Sequence, residues 1–311
     1  MNHPVKITVV GSLNMDLVVR TQQMPAPGET VFGSSFITAP GGKGANQAAA
    51  AARLDAQVAM VGKLGTVSFA NELKTNLTGY GVDCSFVTLQ EGISSGTALI
   101  IVDDHGQNTI VVVPGANMRL TPDDVTLAKG QVVSAKVLLL QLEVPLESVI
   151  KAAEIGHAHG VTVILNPAPA PLRNLPQELL SNVDILIPNE SEATRLTGIS
   201  VLDEASAQEA ASHLHQSGIE TVIITLGERG AYLSTQRQEV LIPAFHVNPV
   251  DTTAAGDAFV GGLAVGLAEG KQLIDAVLWG NACGALATTK LGAMPSLPDR
   301  QAVEALLAQN P

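Results

Sequence analysis

Residues 137–165 read VLLLQLEVPLESVIKAAEIGHAHGVTVIL: two short aliphatic runs, Val137 to Leu140 and Val161 to Leu165, flank a segment of helical period from Leu146 to His157. A β-rich run, a helix and a second β-rich run in succession describe parallel strands joined by a crossover helix. The same rhythm extends in both directions. Upstream lie a run from Val5 to Val10, an Ala-rich helix from Ala45 to Arg53 and a run from Gln57 to Val61. Downstream come Ile185 to Ile187, Ser206 to His215, Thr221 to Thr225, and helical stretches from Ala255 to Glu269 and from Leu273 to Thr289. The fold class expected is α/β, with a doubly wound, mostly parallel sheet flanked by helices.

Two segments break the rhythm. Leu17 to Ala39 contains PAPGET and the alternating VFGSSFIT, and Ser94 to Pro114 holds GTALIIV and NTIVVV joined by DDHGQN. The second is a hairpin by its turn chemistry. Both are read as a small antiparallel lid formed by insertions at about 14–40 and 94–115 of a single domain spanning 1–311.

Composition fits an enzyme with a large aliphatic core. Of 311 residues 46% are hydrophobic and only 15% charged, which excludes disorder. Acidic groups number 29 against 17 basic ones, a net charge of −12, so no broad basic surface exists for nucleic acid or an anionic membrane. Cys84 and Cys283 stand 199 positions apart and suit a reduced compartment. The N-terminus is neither a signal peptide nor a span, so a cytoplasmic location is expected. The His157/His159 and His213/His215 pairs, at i,i+2 on helices, point to different faces and do not suggest zinc.

Two stretches carry chemistry. In Asp251-Thr-Thr-Ala-Ala-Gly-Asp-Ala-Phe-Val-Gly-Gly262 a loop of small residues opens onto an apolar helix. Ala254, Ala255 and Gly256 would turn amide N–H groups outward at a helix N-terminus, where an anion such as a transferring phosphoryl group is favoured. Asp257 sits beside that hole. A first-turn carboxylate is ordinarily a cap or a dipole partner, but a second stretch moves the balance to catalysis. Pro40-Gly-Gly-Lys-Gly-Ala-Asn-Gln47 also leads into a helix, and it is neither a Walker A loop nor a dinucleotide fingerprint. A plain turn would explain its glycines; Lys43 and Asn46 would nevertheless suit the vicinal hydroxyls of a small sugar.

On these stretches the chain resembles the ribokinase-like (phosphofructokinase B type) sugar kinases. The resemblance rests on GGKGANQA from Gly41 and DTTAAGDAFVGG from Asp251, with GSLNMD from Gly11, PGETV from Pro27, QLEVPLE from Gln141, LNPAPA from Leu165, PNESE from Pro188 and TLGERG from Thr225. It covers essentially the whole chain. It implies ATP-dependent phosphorylation of the 5-hydroxyl of D-ribose or of a related sugar, such as deoxyribose, a nucleoside or another furanose. A non-catalytic sugar-binding protein on the same fold is the reading from another class. The resemblance also implies a homodimer paired through the lid sheets.

The resemblance assigns residues too. Asn14, Asp16, Gly41, Gly42, Lys43, Asn46 and Glu143 would bind the sugar, with Asp257 as general base and Ala254, Ala255 and Gly256 forming the anion hole. Asn189 and Glu192 would stand near the phosphates and magnesium, although Asn-x-x-Glu is also an ordinary helix start. Thr225, Gly227, Gly230, Gly256 and Asn281 would border the nucleotide; a strand-to-turn reading explains the first three glycine-rich positions equally. Asp251, Thr253, Ala287, Lys290, Gly292 and Ser296 would supply oxygens to a potassium ion. Val67, in Gly65-Thr-Val-Ser68, departs from the family's usual acidic residue and puts local packing or lid support in doubt.

Overall fold

The structure, a computed structural model, describes residues 5–171 and 174–309. Its strands are β1 (Lys6–Val10), β2 (Asn14–Thr21), β3 (Gly33–Gly41), β4 (Gln57–Gly65), β5 (Asp83–Gln90), β6 (Gly96–Val102), β7 (Asn108–Val113), β8 (Val137–Leu140), β9 (Thr162–Leu165), β10 (Ile185–Leu186), β11 (Thr221–Thr225), β12 (Ala231–Thr235) and β13 (Glu239–Ile242). The helices are α1 (Lys43–Arg53), α2 (Ala70–Gly79), α3 (Pro122–Leu127), α4 (Lys129–Ser134), α5 (Leu146–Ala158), α6 (Gln177–Leu180), α7 (Glu190–Thr197), α8 (Glu204–His215), α9 (Ala255–Ala268), α10 (Leu273–Ala287) and α11 (Arg300–Gln309).

Nine strands form the main sheet in the order β13-β12-β11-β10-β9-β8-β1-β4-β5. The pairs from β5 to β11 are parallel, and only the β11–β12 and β12–β13 edge is antiparallel. Burial explains why the strands are uninterrupted apolar runs. Leu138, Leu139 and Leu140 are all fully buried, yet Leu139 joins the layer of α1, α9 and α10 while Leu138 and Leu140 join that of α5 and α8. With helices on both faces, each side of the pleat needs an aliphatic side chain.

The second sheet has the order β3-β2-β6-β7. It consists of two antiparallel hairpins, β2–β3 and β6–β7, joined along a parallel seam between β2 and β6. Its apolar side chains are widely exposed: Phe36, Leu99 and Val111 on one face and Ile37 on the other are each about half exposed, and every residue of β7, at the open edge, is exposed. Val67 is exposed as well, and its amide donates to the Ile93 carbonyl at 3.1 Å. No described helix is long and apolar enough to cross a membrane.

Helices α1 and α9 carry the two motif loops and lie against each other. Gly261 makes that contact possible, because a Cβ there would fall 2.6 Å from the Ala50 Cβ and 3.1 Å from the Ala51 amide nitrogen. Substituting Gly261→Ala forces the helices apart, and overpacking of this kind lowers stability by about 1–3 kcal/mol. Gly79, in α2, has open space around its Cβ position, so Gly79→Ala is neutral or stabilising by up to about 1 kcal/mol. Urea unfolding of the two variants beside the parent checks both signs.

Candidate active site

The candidate residues gather at the carboxyl ends of the parallel strands, where open α/β sheets form their crevice. Residues 11–13 follow β1, Gln141 and Glu143 follow β8, Asn166 follows β9, and Ile187 and Asn189 follow β10. A cleft of about 220 Å³ is lined by Lys43, Asn166, Ile187, Asn189, Glu192, Thr225, Thr252, Ala254, Gly256, Asp257 and Val260. A larger, shallow groove at 66–72 and Leu89 contains none of these side chains.

The loop before α9 is held in an unusual conformation. Ala254 has φ 60° and ψ 10°, a left-handed geometry that costs a residue with a Cβ about 1–2 kcal/mol. Its result is to end the loop abruptly at the helix start. The Ala255 amide donates to the Thr252 carbonyl at 3.2 Å and the Ala258 amide to the Ala254 carbonyl at 2.8 Å. The amides of Gly256 and Asp257 have no partner among the described residues. Of the three amides expected to form the anion hole, that of Ala255 is bonded within the loop, while those of Ala254 and Gly256, and the next one, of Asp257, are free among the described residues.

Asp257 is buried, and both of its oxygens are occupied: Asn46 Nδ2 donates to Oδ2 at 2.9 Å and Gln47 Nε2 to Oδ1 at 3.1 Å. Asn46 Oδ1 is buried without a partner. Gln47 is in turn held by Gln141, whose Nε2 donates to Gln47 Oε1 at 2.6 Å, and its own Nε2 also reaches Asn166 Oδ1 at 3.2 Å. Asn166 closes the chain by donating to the Ile187 carbonyl at 2.8 Å.

The start of α1 is fitted to the end of β1. Gly42 has φ 93°, and a Cβ there would lie 2.7 Å from the Asn14 amide nitrogen; only glycine meets both demands. A side chain at Gly41 would strike the Asp16 carboxylate. Glu143 Oε2 accepts from the Lys43 amide at 3.1 Å and from the Ser12 hydroxyl. Asn117 pins Asn14, with Asn117 Nδ2 donating to Asn14 Oδ1 at 2.7 Å while its Oδ1 accepts from the Leu13 amide. The amide end of Asn14 stays available to a ligand.

Three carboxylates, of Asp257, Glu143 and Glu192, act on one lysine here, and Asp16 lies beside two of them. Burial, then the neighbouring charges of Glu143 and Asp257, push Asp16 up to about 7. Glu192 is also raised, mainly by burial and partly by Asp257, against the opposing pull of the Asn189 amide and Lys43. Burial works against the Lys43 ammonium, but Asp257, Glu143 and Glu192 outweigh it and hold the group above the ordinary lysine range.

Asn189 and Glu192 form a reciprocal capping box at the start of α7: Asn189 Oδ1 accepts from the Glu192 amide at 2.8 Å, and Glu192 Oε2 from the Asn189 amide at 2.9 Å. The helix-start reading and the cleft placement are therefore both true. Glu192 keeps its other oxygen unbonded among the described residues. Thr225 ends β11 at the cleft, while Gly227 and Gly230 bound a short 3-10 turn closed by the Leu226 amide to the Gly230 carbonyl at 2.8 Å. Asn281, expected to border the nucleotide, is not among the residues lining the cleft. Its Nδ2 donates to the carbonyls of Ile242 and Pro243, both at 3.0 Å, and so ties α10 to the end of β13.

Of the expected cation ligands, Asp251 Oδ1 accepts from the Thr253 amide and hydroxyl, and Oδ2 from the Gly292 amide at 2.8 Å. Burial opposes its charge, but these donors, with the Arg20 charge on β2, hold the carboxyl below its usual range. The Ala287 carbonyl faces the Lys290 amide at 3.5 Å, and Ser296 Oγ donates to the Ala293 carbonyl at 2.7 Å. The structure brings Asp251, Thr253 and Gly292 into direct contact and leaves Ala287, Lys290 and Ser296 bonded within their own turns.

The chain matches the pfkB family carbohydrate kinase model over residues 5–300. It is 44% identical to the ribokinase of Haemophilus influenzae over 95% of this chain and 96% of that one. It is also 44% identical to the deoxyribokinase of Salmonella typhi, over 82% of this chain and 83% of that one. Among solved structures, an Arabidopsis thaliana ribokinase complexed with ribose and ATP superposes with a TM-score of 0.91 at 35% identity, covering 98% and 99% of the two chains.

The Asp16 shift has a thermodynamic signature. Between its ordinary value of 3.8 and about 7, the folded chain keeps a proton that the unfolded chain has lost, so stability falls as pH rises through that window. Asp16→Asn removes the term. Urea unfolding of the ligand-free proteins at pH 5 and pH 8 is expected to show a smaller pH dependence in the variant and greater stability than the parent at pH 8.

Proposed function

The chain belongs to the pfkB family of carbohydrate kinases, and we propose that it transfers the γ-phosphoryl group of ATP to the 5-hydroxyl of D-ribose, giving D-ribose 5-phosphate and ADP. The observation that carries this reading is the buried Asp257 carboxylate, gripped on both oxygens from α1 and placed beside two free amides at the start of α9.

Asp257 takes the proton of the attacking hydroxyl as general base. The hydroxyl oxygen bonds to the γ-phosphorus as the bond to the β-phosphate bridging oxygen breaks, and the proton remains on the carboxylate until product leaves. The amides of Gly256 and Asp257 and the ammonium of Lys43 offset charge on the phosphoryl oxygens, so the protein's contribution is mostly positioning and electrostatics. Asn14, Asp16, Asn46 and Glu143 hold the sugar. Asp16 and the unpartnered Asn46 Oδ1 accept from its hydroxyls, while Asn14 Nδ2 and Lys43 donate. Strand β2 and its hairpin cover the sugar and exclude water.

Magnesium fits this cleft. Glu192, raised by burial and with only one oxygen bonded, is a carboxylate able to take a cation, and a phosphate-borne magnesium would need only one or two such groups from the protein. When bound, it neutralises charge across the β- and γ-phosphates. Potassium fits the turn at Asp251, an ionised carboxylate among main-chain oxygens of the segments at 251–253 and 287–292, and would order the loop that presents the amides. Asn189, Thr225, Gly227 and Gly230 border the nucleotide phosphates. The whole chain acts as one cytoplasmic kinase domain with its lid at 14–40 and 94–115.

A second reading, phosphorylation of 2-deoxyribose, draws on the deoxyribokinase relative. Ribose is favoured by the polar cluster of Asn14, Asp16 and Lys43, because buried groups left unpaired by a missing hydroxyl penalise the analogue. We also read the exposed lid surface as a homodimer contact, since Ile110 to Val113 on an open edge strand need cover.

A coupled ADP-release assay over ribose, 2-deoxyribose and other furanoses is expected to give the highest kcat/KM with ribose; a higher value with 2-deoxyribose selects the second reading. Asp257→Asn is expected to retain ribose binding and lose at least about 10²-fold in turnover, and near-normal turnover would remove Asp257 as the base. Light scattering is expected to give twice the mass of the chain, and a stable monomer counts against pairing through the lid.

A further inference from the structure

Gln141 reaches Asp257 through a single intermediary. It is fully buried on the strand-end of β8, donates from Nε2 to Gln47 Oε1, and has its own Oε1 buried without a partner. Gly11 leaves room for that oxygen, which lies 2.1 Å from where a Gly11 Cβ would be. Neither Gln141 nor Gln47 lines the cleft, and neither was assigned a role by the motifs.

A carboxamide turned end for end keeps its shape but exchanges a donor for an acceptor. For Gln47 the two orientations are opposite in effect. With Nε2 facing Asp257, as observed, it supports the carboxylate at 3.1 Å and satisfies Asn166 Oδ1 at 3.2 Å. Reversed, it would set a carbonyl oxygen against both. Asp257 and Asn166, both acceptors here, already favour the observed orientation, and the hydrogen bond from Gln141 reinforces it by giving the outward-turned Gln47 Oε1 a donor.

We propose that Gln141 and Gln47 form a buried polarity relay in which the amide of Gln141 reinforces the direction of the Gln47 carboxamide and thereby helps to hold the Asp257 carboxylate in place as the base. Both are positioning residues. The inference rests on the kinase reading above, with Asp257 as base.

The relay is tested by reversing it. At position 141, Gln141→Glu buries a carboxyl group that, while protonated, donates to Gln47 Oε1 as the amide does. Once ionised it can only accept, so it draws Gln47 Nε2 away and turns the Gln47 oxygen onto Asp257. Gln141→Met lacks a donor at every pH. The titratable groups around this cluster are Asp257 on α9, Asp16 on β2, Lys43 on α1, Glu143 after β8 and Glu192 on α7; all are retained in each variant, and Gln141→Met, which adds no charge, reports their own contribution to the pH dependence.

The measurement is single-turnover phosphoryl transfer from ATP to ribose, with ribose affinity in parallel. The Gln141→Glu rate is expected to be near the parent's at pH 6 and on the order of tenfold lower at pH 9, a loss typical of a misplaced reacting group. Gln141→Met is expected to be lower by about the same factor at both values, and both keep ribose affinity. Rates equal to the parent's, or a ratio independent of pH and the same in both variants, overturn the relay. If Gln141→Glu does not fold, Gln47→Met carries the test: an unchanged transfer rate overturns the proposal, and a loss of rate with ribose affinity retained supports it. Activity of the parent with ribose is measured first, so failure of the kinase reading is seen there and failure of the relay only in the ratios.

Discussion

The contact on which the site depends is the pair of hydrogen bonds from the first turn of α1 to the Asp257 carboxylate, across 211 and 210 positions of sequence. A carboxylate removed from water must have its oxygens satisfied or it will not stay charged. The two donors are amides at adjacent positions on α1, so the helices must approach closely enough for short side chains to span them. That explains a sequence feature otherwise without a purpose: the α1–α9 seam is built from alanines and a glycine, with Ala50 and Ala51 against Gly261. Larger residues would bury more apolar area and pull the donors out of reach.

Charge in the cleft follows the same economy. Glu143, Glu192 and Asp257 crowd around Lys43 with Asp16 beside them, and burial above all, with a further push from like charges, holds Asp16 and Glu192 above their usual range. A cluster of this kind repels an anion on its own account. In the proposed reaction the phosphates would be met instead by the backbone dipoles of the α9 turn and by cations that arrive with them. A chain of net charge −12 can therefore hold ATP at one point without any basic surface.

Much of this was legible from the sequence where the signal was local. The doubly wound sheet was visible because each βαβ unit repeats a change of period, and the lid because PAPGET and DDHGQN interrupt it. Asp257, Lys43 and Asn46 could be found because small residues at a helix start expose the backbone. Gln47, Gln141, Asn166 and Asn117 escaped, since their worth lies in partners about 100 or more residues away. A usable signal did exist: Gln141 and Asn166 are the first polar residues after the apolar strands β8 and β9, the point where a parallel sheet opens its crevice. A motif also does not show which donors are already engaged: the Ala255 amide of the anion-hole stretch is bonded to the Thr252 carbonyl, and Asn281 Nδ2 to the carbonyls of Ile242 and Pro243.

The distance in sequence between α1 and α9 has a further consequence, for the growing chain. During synthesis the strands from β1 to β11 emerge and can pair before α9 exists. Until that helix docks, the amides of Asn46 and Gln47 face an open, hydrated groove with no carboxylate to hold. Assembly of the reactive centre is thus a late event in folding, governed by the closing of one very long loop. A ribosome-bound chain lacking its last sixty residues would carry most of the groups proposed to face the sugar and not the proposed base.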